Sequence, residues 1–235
     1  IKAKRNEYLL DENSYLNYLN KVLKSNEFSM LELADTVVVF NEEDKFFLKD
    51  LNTPIIISPF GIPDKLIFKH KASNKFNRLL FMGSQNHFPN KEGLKWFLDE
   101  IYLPNYGKVK LPIYITGDWN DQFKSKYASF KNIVFLGFLE TLNEIFDHSI
   151  LISPIISGSG VRTKILQAFA NNLPVISTRF ASEGLYNDQL KSNHIIHFEN
   201  STDFIRIADK INKDEKYLGK IAKNGKLYYS ENFQK

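Results

Sequence analysis

A chain of 235 residues, 43% hydrophobic and 25% charged, has no cysteine. That is ordinary globular composition, enough for one large domain or one domain and part of a second, and it excludes a disordered tail, a collagen-like fibre and a polytopic membrane protein. The missing cysteine excludes a disulfide framework, a cysteine zinc site and a cysteine nucleophile together. Net charge is a mild +4, from five arginines and 26 lysines spread along the chain. Nucleic-acid binders cluster their charge and favour arginine, so no nucleic-acid partner is expected; scattered lysines leave a peripheral contact with anionic lipid headgroups.

In chain order, Asn6–Ala34 reads as helical, with Tyr8, Leu16, Leu19, Leu23 and Leu31 near helical spacing. Thr36–Phe40 is a short buried-type strand, Glu42–Leu51 an amphipathic helix after an Asn41 cap, and Pro54–Ser58 a second strand. The polar stretch Lys69–Asn77 reads as a linker or an exposed bend. From Arg78 the pattern becomes regular. Apolar runs at Leu79–Met82, Leu111–Thr116, Ile133–Leu136, Ile150–Pro154, Val175–Ser177 and Ile195–His197 alternate with helical segments at Lys91–Tyr102, Gln122–Ser129, Thr141–Asp147 and Val161–Asn171. Continuous apolar strands between helices are strands buried on both faces. The expected fold class is therefore α/β, a doubly wound, Rossmann-like parallel sheet. Two further helices fill Thr202–Phe233.

Ligands of such sheets sit at the carboxyl ends of the strands. The most informative of those ends is Ser153–Gly184, where a strand runs into Ser157-Gly158-Ser159-Gly160 and then a helix expected from Val161. Glycines let backbone N–H groups approach an anion, and a helix start adds partial positive charge. Arg162 and Lys164 oppose the helix dipole there, so an anion, a diphosphate above all, would compensate them. Gly160, Lys164, Gln167 and Asn171 share one helical face. Lys164 would meet a phosphate and Gln167 a sugar or ribose one turn deeper. From residues alone, a tight Gly-Ser-Gly connection beside a solvated basic pair is an equal reading. Arg162 could equally pair with a carboxylate. His87 reads as a surface or capping histidine before a donor contact, and His194 and His197 as edge or core residues. Trp96 and Phe97 are expected to bury against the sheet.

The ordered set Phe81-Met82-Gly83-Ser84, Phe88-Pro89-Asn90-Lys91-Glu92-Gly93, Ile115-Thr116-Gly117, Phe135-Leu136-Gly137-Phe138, Gly158-Ser159-Gly160-Val161-Arg162-Thr163-Lys164 and Glu183-Gly184-Leu185 resembles the donor half of a GT-B glycosyltransferase of the family 4 type (glycosyl transferases group 1). The likeness covers about residues 78–230 and is weaker upstream. It implies domains at 1–68, a partial N-terminal acceptor lobe with the crossover, and at 78–235, a nucleotide-sugar-binding lobe. It also implies donor-binding roles for Gly83, Ser84, Gly158, Ser159, Gly160, Arg162, Lys164, Gln167 and Glu183, the last near the donor sugar or else a helix cap. The catalytic residues are left to the N-terminal lobe. The implied enzyme is a metal-independent, retaining transferase with no cofactor beyond its nucleotide-sugar co-substrate. Its acceptor would be a glycan or lipid-linked, in bacterial surface polysaccharide synthesis, at a cytoplasmic and peripherally membrane-associated location. Gln167 stands where relatives carry a ribose-binding glutamate, which keeps open a catalytically silent, nucleotide- or glycan-binding homologue. The chain starts at Ile1 and is read as beginning inside a longer polypeptide, so that alone it is expected to bind donor yet transfer nothing.

Overall fold

The computed structural model describes residues 14–68, 75–158, 160–185, 193–214 and 216–234. The start of the first expected helix, most of the expected linker and Ser159 lie outside them. Two compact units emerge: one holds the chain up to Phe60 together with Ser157–Val161, the other Gly61–Ile156 with Arg162–Lys235.

In the first unit, α1 (Ser14–Leu31), β1 (Val37–Val39), α2 (Glu42–Phe47) and β2 (Ile55–Ile57) follow in order. The strands pair in parallel, Val37 opposite Ile55 and Val39 opposite Ile57. Val37, Val39, Leu48 and Leu51 form a small core, packed by Phe28, Leu31, Phe47, Ile55 and Ile57. Asn41 caps α2 by accepting from the Asp44 N–H at 2.7 Å, and three acidic residues in the first turn favour the helix dipole. Val38 and Ile56 point out of the opposite face and are exposed.

The second unit is a six-stranded parallel sheet made of β3 (Arg78–Met82), β4 (Ile113–Thr116), β5 (Ile133–Gly137), β6 (Ser149–Ser153), β7 (Val175–Ser177) and β8 (Ile196–His197), in the order β5-β4-β3-β6-β7-β8. Leu79, Leu80, Phe81 and Met82 are all buried, as a strand covered on both faces requires. The connecting helices are α3 (Phe88–Trp96), α4 (Asp121–Ser125), α5 (Asn143–Phe146), α6 (Thr163–Ala170) and α7 (Arg179–Ser182), followed by α8 (Ser201–Lys213) and α9 (Tyr217–Asn232). After Trp96 the third helix continues in wider i→i+5 turns through Tyr102 and ends in a 3-10 turn containing Pro104, which lacks the N–H to prolong it. Phe97 is fully buried, and Trp96 stacks on Phe198 with ring centroids 5.9 Å apart. Phe97 buries as expected, and Trp96 is half-buried against the same core. No helix of the described residues is long and apolar enough to cross a membrane.

The first three strands build outward from β3 to β5, after which the chain returns to the other side of β3 to place β6. The loops leaving β3 and β6 therefore run in opposite directions around the sheet, and a crevice opens between their carboxyl ends. Two close approaches hold its walls. A Cβ on Gly93 of α3 would lie 2.4 Å from the Pro154 carbonyl oxygen, and one on Gly117 would lie 2.5 Å from the Gly83 carbonyl. Gly83 and Gly117 also hold positive φ, +156° and +97°.

The segment entering this unit is fastened to helices. Ile62 N–H donates to the Tyr229 hydroxyl at 2.9 Å. The buried Asn171 amide accepts from Phe68 N–H at 2.6 Å and donates to the carbonyls of Leu66 and Gln167, each at 2.8 Å. The expected helical stripe thus ends at Gln167, since Asn171 is spent on the chain.

Gly93→Ala should destabilise the fold by about 1–3 kcal/mol, because the new methyl meets fixed backbone and forces α3 off the β6 loop. Urea denaturation followed by circular dichroism measures it; an unchanged midpoint would show that α3 has room to move.

Candidate functional site

Gly83 ends β3, and its conformation turns the chain sharply into Ser84 and α3. Its carbonyl accepts from the Trp119 indole N–H at 2.8 Å. Gln85 straps the same loop to the next one: its N–H donates to the Asp118 carbonyl and its side-chain oxygen accepts from Asn120 N–H, both at 3.0 Å. The turn is therefore rigid on the β4 side. Pro89 stands in the first turn of α3, where no N–H is needed. His87 occupies the N-cap position and is exposed, with no side-chain capping bond.

On the β6 side, Gly158 and Gly160 hold φ of +98° and +82°, the left-handed backbone that glycine permits. Helix α6 starts at Thr163, two residues later than expected, because Arg162 takes a non-helical cap conformation (φ −83°, ψ 86°). Arg162 is thus a cap residue and Lys164 the second residue of the helix. Thr178 fixes the following loop by donating to the Ile155 carbonyl and capping α7 through Ala181 N–H.

These elements converge on Lys164. Its ammonium donates to the Asn90 side-chain oxygen at 3.0 Å, while the Asn90 amide nitrogen donates to the Ser84 carbonyl at 3.1 Å. A Cβ on Gly83 would sit 2.7 Å from Lys164 Nζ and 2.6 Å from Asn90 Nδ2. Only a residue without a side chain leaves that ammonium its place. Burial, with the Arg162 charge adding to it, pushes the Lys164 pKa down to about 8. Burial also lowers that of Arg162, and the Glu183 carboxylate works in the other direction. Arg162 further lies over the Phe180 ring, 5.9 Å from its centroid.

Of the residues expected at a donor site, Gly83, Ser84, Arg162, Lys164 and Glu183 thus gather at the crevice. Gln167 lies one turn along α6 from Lys164 and is half-buried. Ser159 falls outside the described residues. Sequence reasoning missed Asn90 and Trp119. The only signal was their place, Asn90 in the first turn of the helix after β3 and Trp119 two residues beyond Gly117. His197 faces away from any such role: its Nε2 lies 2.9 Å from the Ser182 hydroxyl, and burial, then Arg179, pushes its pKa down to about 4. His194 packs its ring on Tyr228. Among the described residues no group of three or more histidine or acidic side chains is placed to hold a metal ion.

Comparison with known proteins agrees with this fold. A 44.6 kDa protein in the cps region of Klebsiella pneumoniae is 28% identical over 162 residues, 60% of this chain and 42% of that protein. Sucrose-phosphate synthase from Thermosynechococcus elongatus superposes with a TM-score of 0.66 at 16% identity, over 88% of this chain and 56% of its own. Anabaena HepE, solved in complex with UDP and glucose, superposes with a TM-score of 0.63 at 12% identity, over 85% and 59%. The chain thus spans less than two thirds of the length of each. At those identities the two structures establish a shared fold, that of the GT-B glycosyltransferases. The family model for glycosyl transferases group 1 matches residues 76–214, more than half of the sequence, and the chain belongs to that family.

Proposed function

We propose that this chain carries the donor-binding half of a glycosyltransferase that takes its sugar from a nucleoside diphosphate. The observation that carries the reading is the half-buried Lys164 ammonium, set over a side-chain-free Gly83 at the switch point of the sheet and hydrogen-bonded to a neutral amide. A cation held this way keeps its charge for an incoming anion. In the proposed reaction the bond between the anomeric carbon and the diphosphate oxygen breaks, the sugar passes to an acceptor hydroxyl, and negative charge grows on the departing diphosphate. Lys164 and Arg162 face that charge in a site of low dielectric, where preorganised positive groups act most strongly. They would supply what a divalent cation supplies elsewhere, so the reaction is proposed to need no metal or cofactor.

Gly83, Ser84, Arg162, Lys164, Gln167 and Glu183 form the proposed donor set, with Gly158, Ser159 and Gly160 joining it by their place on the loop into α6. Residues 78–235 are the proposed donor domain and 1–68 part of the acceptor lobe with the crossover; that lobe would supply the catalytic base and bind the glycan or lipid-linked acceptor. HepE bound to UDP and glucose supports the donor class. The relative in a cps region supports surface polysaccharide as the product. A second reading, a silent nucleotide-binding homologue, is favoured by one observation: Gln167 offers an amide where a ribose-holding carboxylate would serve better.

Lys164→Ala should weaken UDP binding by about 1.5–3 kcal/mol, the range for a charged hydrogen bond. Calorimetric titration of the folded variant measures it, and equal affinity would remove Lys164 from the site. In the unsubstituted chain, affinity should fall as pH rises above about 8, since the protonated amine binds the anion and its depressed pKa is where that form is lost.

Gln167→Glu should tighten UDP binding and leave inorganic diphosphate unaffected. A carboxylate accepts from two vicinal ribose hydroxyls, whereas the amide accepts through one oxygen. Equal weakening of both ligands would place this side chain against the phosphates.

A further inference from the structure

We propose that Asn90 is the positioning residue of this site: its side-chain amide bridges the β3–α3 loop and α6, and so holds the Lys164 ammonium over Gly83. The inference rests on the reading of Lys164 as a diphosphate ligand and adds the residue through which it acts. Asn90 is itself buried, 6% exposed, which is unusual for a polar side chain unless its hydrogen bonds are satisfied. Both ends are satisfied, the oxygen by Lys164 Nζ at 3.0 Å and the nitrogen by the Ser84 carbonyl at 3.1 Å. The orientation of the amide is fixed by its partners, because an ammonium only donates and a carbonyl only accepts.

The bridge requires an uncharged group that both donates and accepts. Aspartate at this position would turn the contact into an ion pair, leave the Ser84 carbonyl without its donor, and place a negative charge beside the site meant for phosphate. Alanine would leave both partners unmet. Asparagine accepts one of the three ammonium protons and leaves the full positive charge and two donors for the ligand. The other elements around the ammonium are its own loop, contributing Arg162, and β3, contributing the Phe81 ring 6.0 Å away. Beyond Arg162 stands Glu183 of the turn after α7. Asn90 is thus the one hydrogen-bond acceptor of Lys164 among the described residues, and replacing it changes the lysine directly.

The test compares Asn90→Asp, Asn90→Ala and Lys164→Ala with the unsubstituted 235-residue chain. Two readouts are UDP affinity between pH 7 and 10 and the NMR titration of the Lys164 side chain without ligand. Thermal melts establish that each variant is folded. Asn90→Asp is expected to raise the Lys164 titration midpoint by at least one pH unit, since a neighbouring carboxylate favours the charged amine. It should also weaken UDP binding tenfold or more at pH 7, although the lysine is more fully protonated, a combination that general destabilisation would not produce. Asn90→Ala is expected to lower UDP affinity severalfold without raising the midpoint. Should both variants keep the original midpoint and affinity while Lys164→Ala loses binding, the positioning role is overturned and the diphosphate reading stands. Should Lys164→Ala bind UDP as tightly as the original chain, both fall.

Discussion

The site depends on keeping an amine charged where burial disfavours charge. Moving an ammonium out of water is costly, and proteins usually offset the cost with a carboxylate. At Lys164 the acceptor is instead an amide, and the neighbouring charge is another cation, Arg162. Two like charges are thereby held together, an arrangement that the diphosphate of the proposed donor would relieve. The Glu183 carboxylate acts on this pair through Arg162, whose charged form it favours.

That arrangement needs rigid walls, which come from missing side chains. Gly83, Gly93 and Gly117 each stand where a Cβ would press into backbone or into the ammonium itself. Two of them bring neighbouring strand ends into contact, and the third seats α3 on the loop after β6. Trp119 and Gln85 then tie the β3 loop to the β4 loop. The parallel sheet sets the crevice, and these contacts set its width.

The sheet was legible because strands buried on both faces are written as unbroken apolar runs: all six expected strands of the second unit appear, within two residues of their expected ends. Basic residues after a glycine-rich turn likewise pointed to the end of β6, where Arg162 and Lys164 stand. Helix starts were harder. Nothing local in Val161 and Arg162 says that α6 waits for Thr163, because the delay is a backbone conformation at Arg162. Partners distant in sequence could not be read at all. Asn171 shares the helical face of Lys164, yet its amide is taken by Leu66 and Phe68, more than 100 residues upstream. Asn90 meets Lys164 across 74 residues. A polar side chain declares its chemistry in sequence, but only the fold names its partner.

The indole of Trp119 has a consequence of a different kind. Its N–H is bound to the Gly83 carbonyl, and its ring packs on Phe81 and Phe123. The chain has one other tryptophan, Trp96, stacked on Phe198 at the far edge of the sheet. The molecule therefore carries one fluorophore wired to the turn beneath the ammonium and another at the far end of the helix that leaves that turn. A displacement of the turn changes the polarity felt by the first indole, so the protein contains its own optical gauge of strain at the mouth of the sheet.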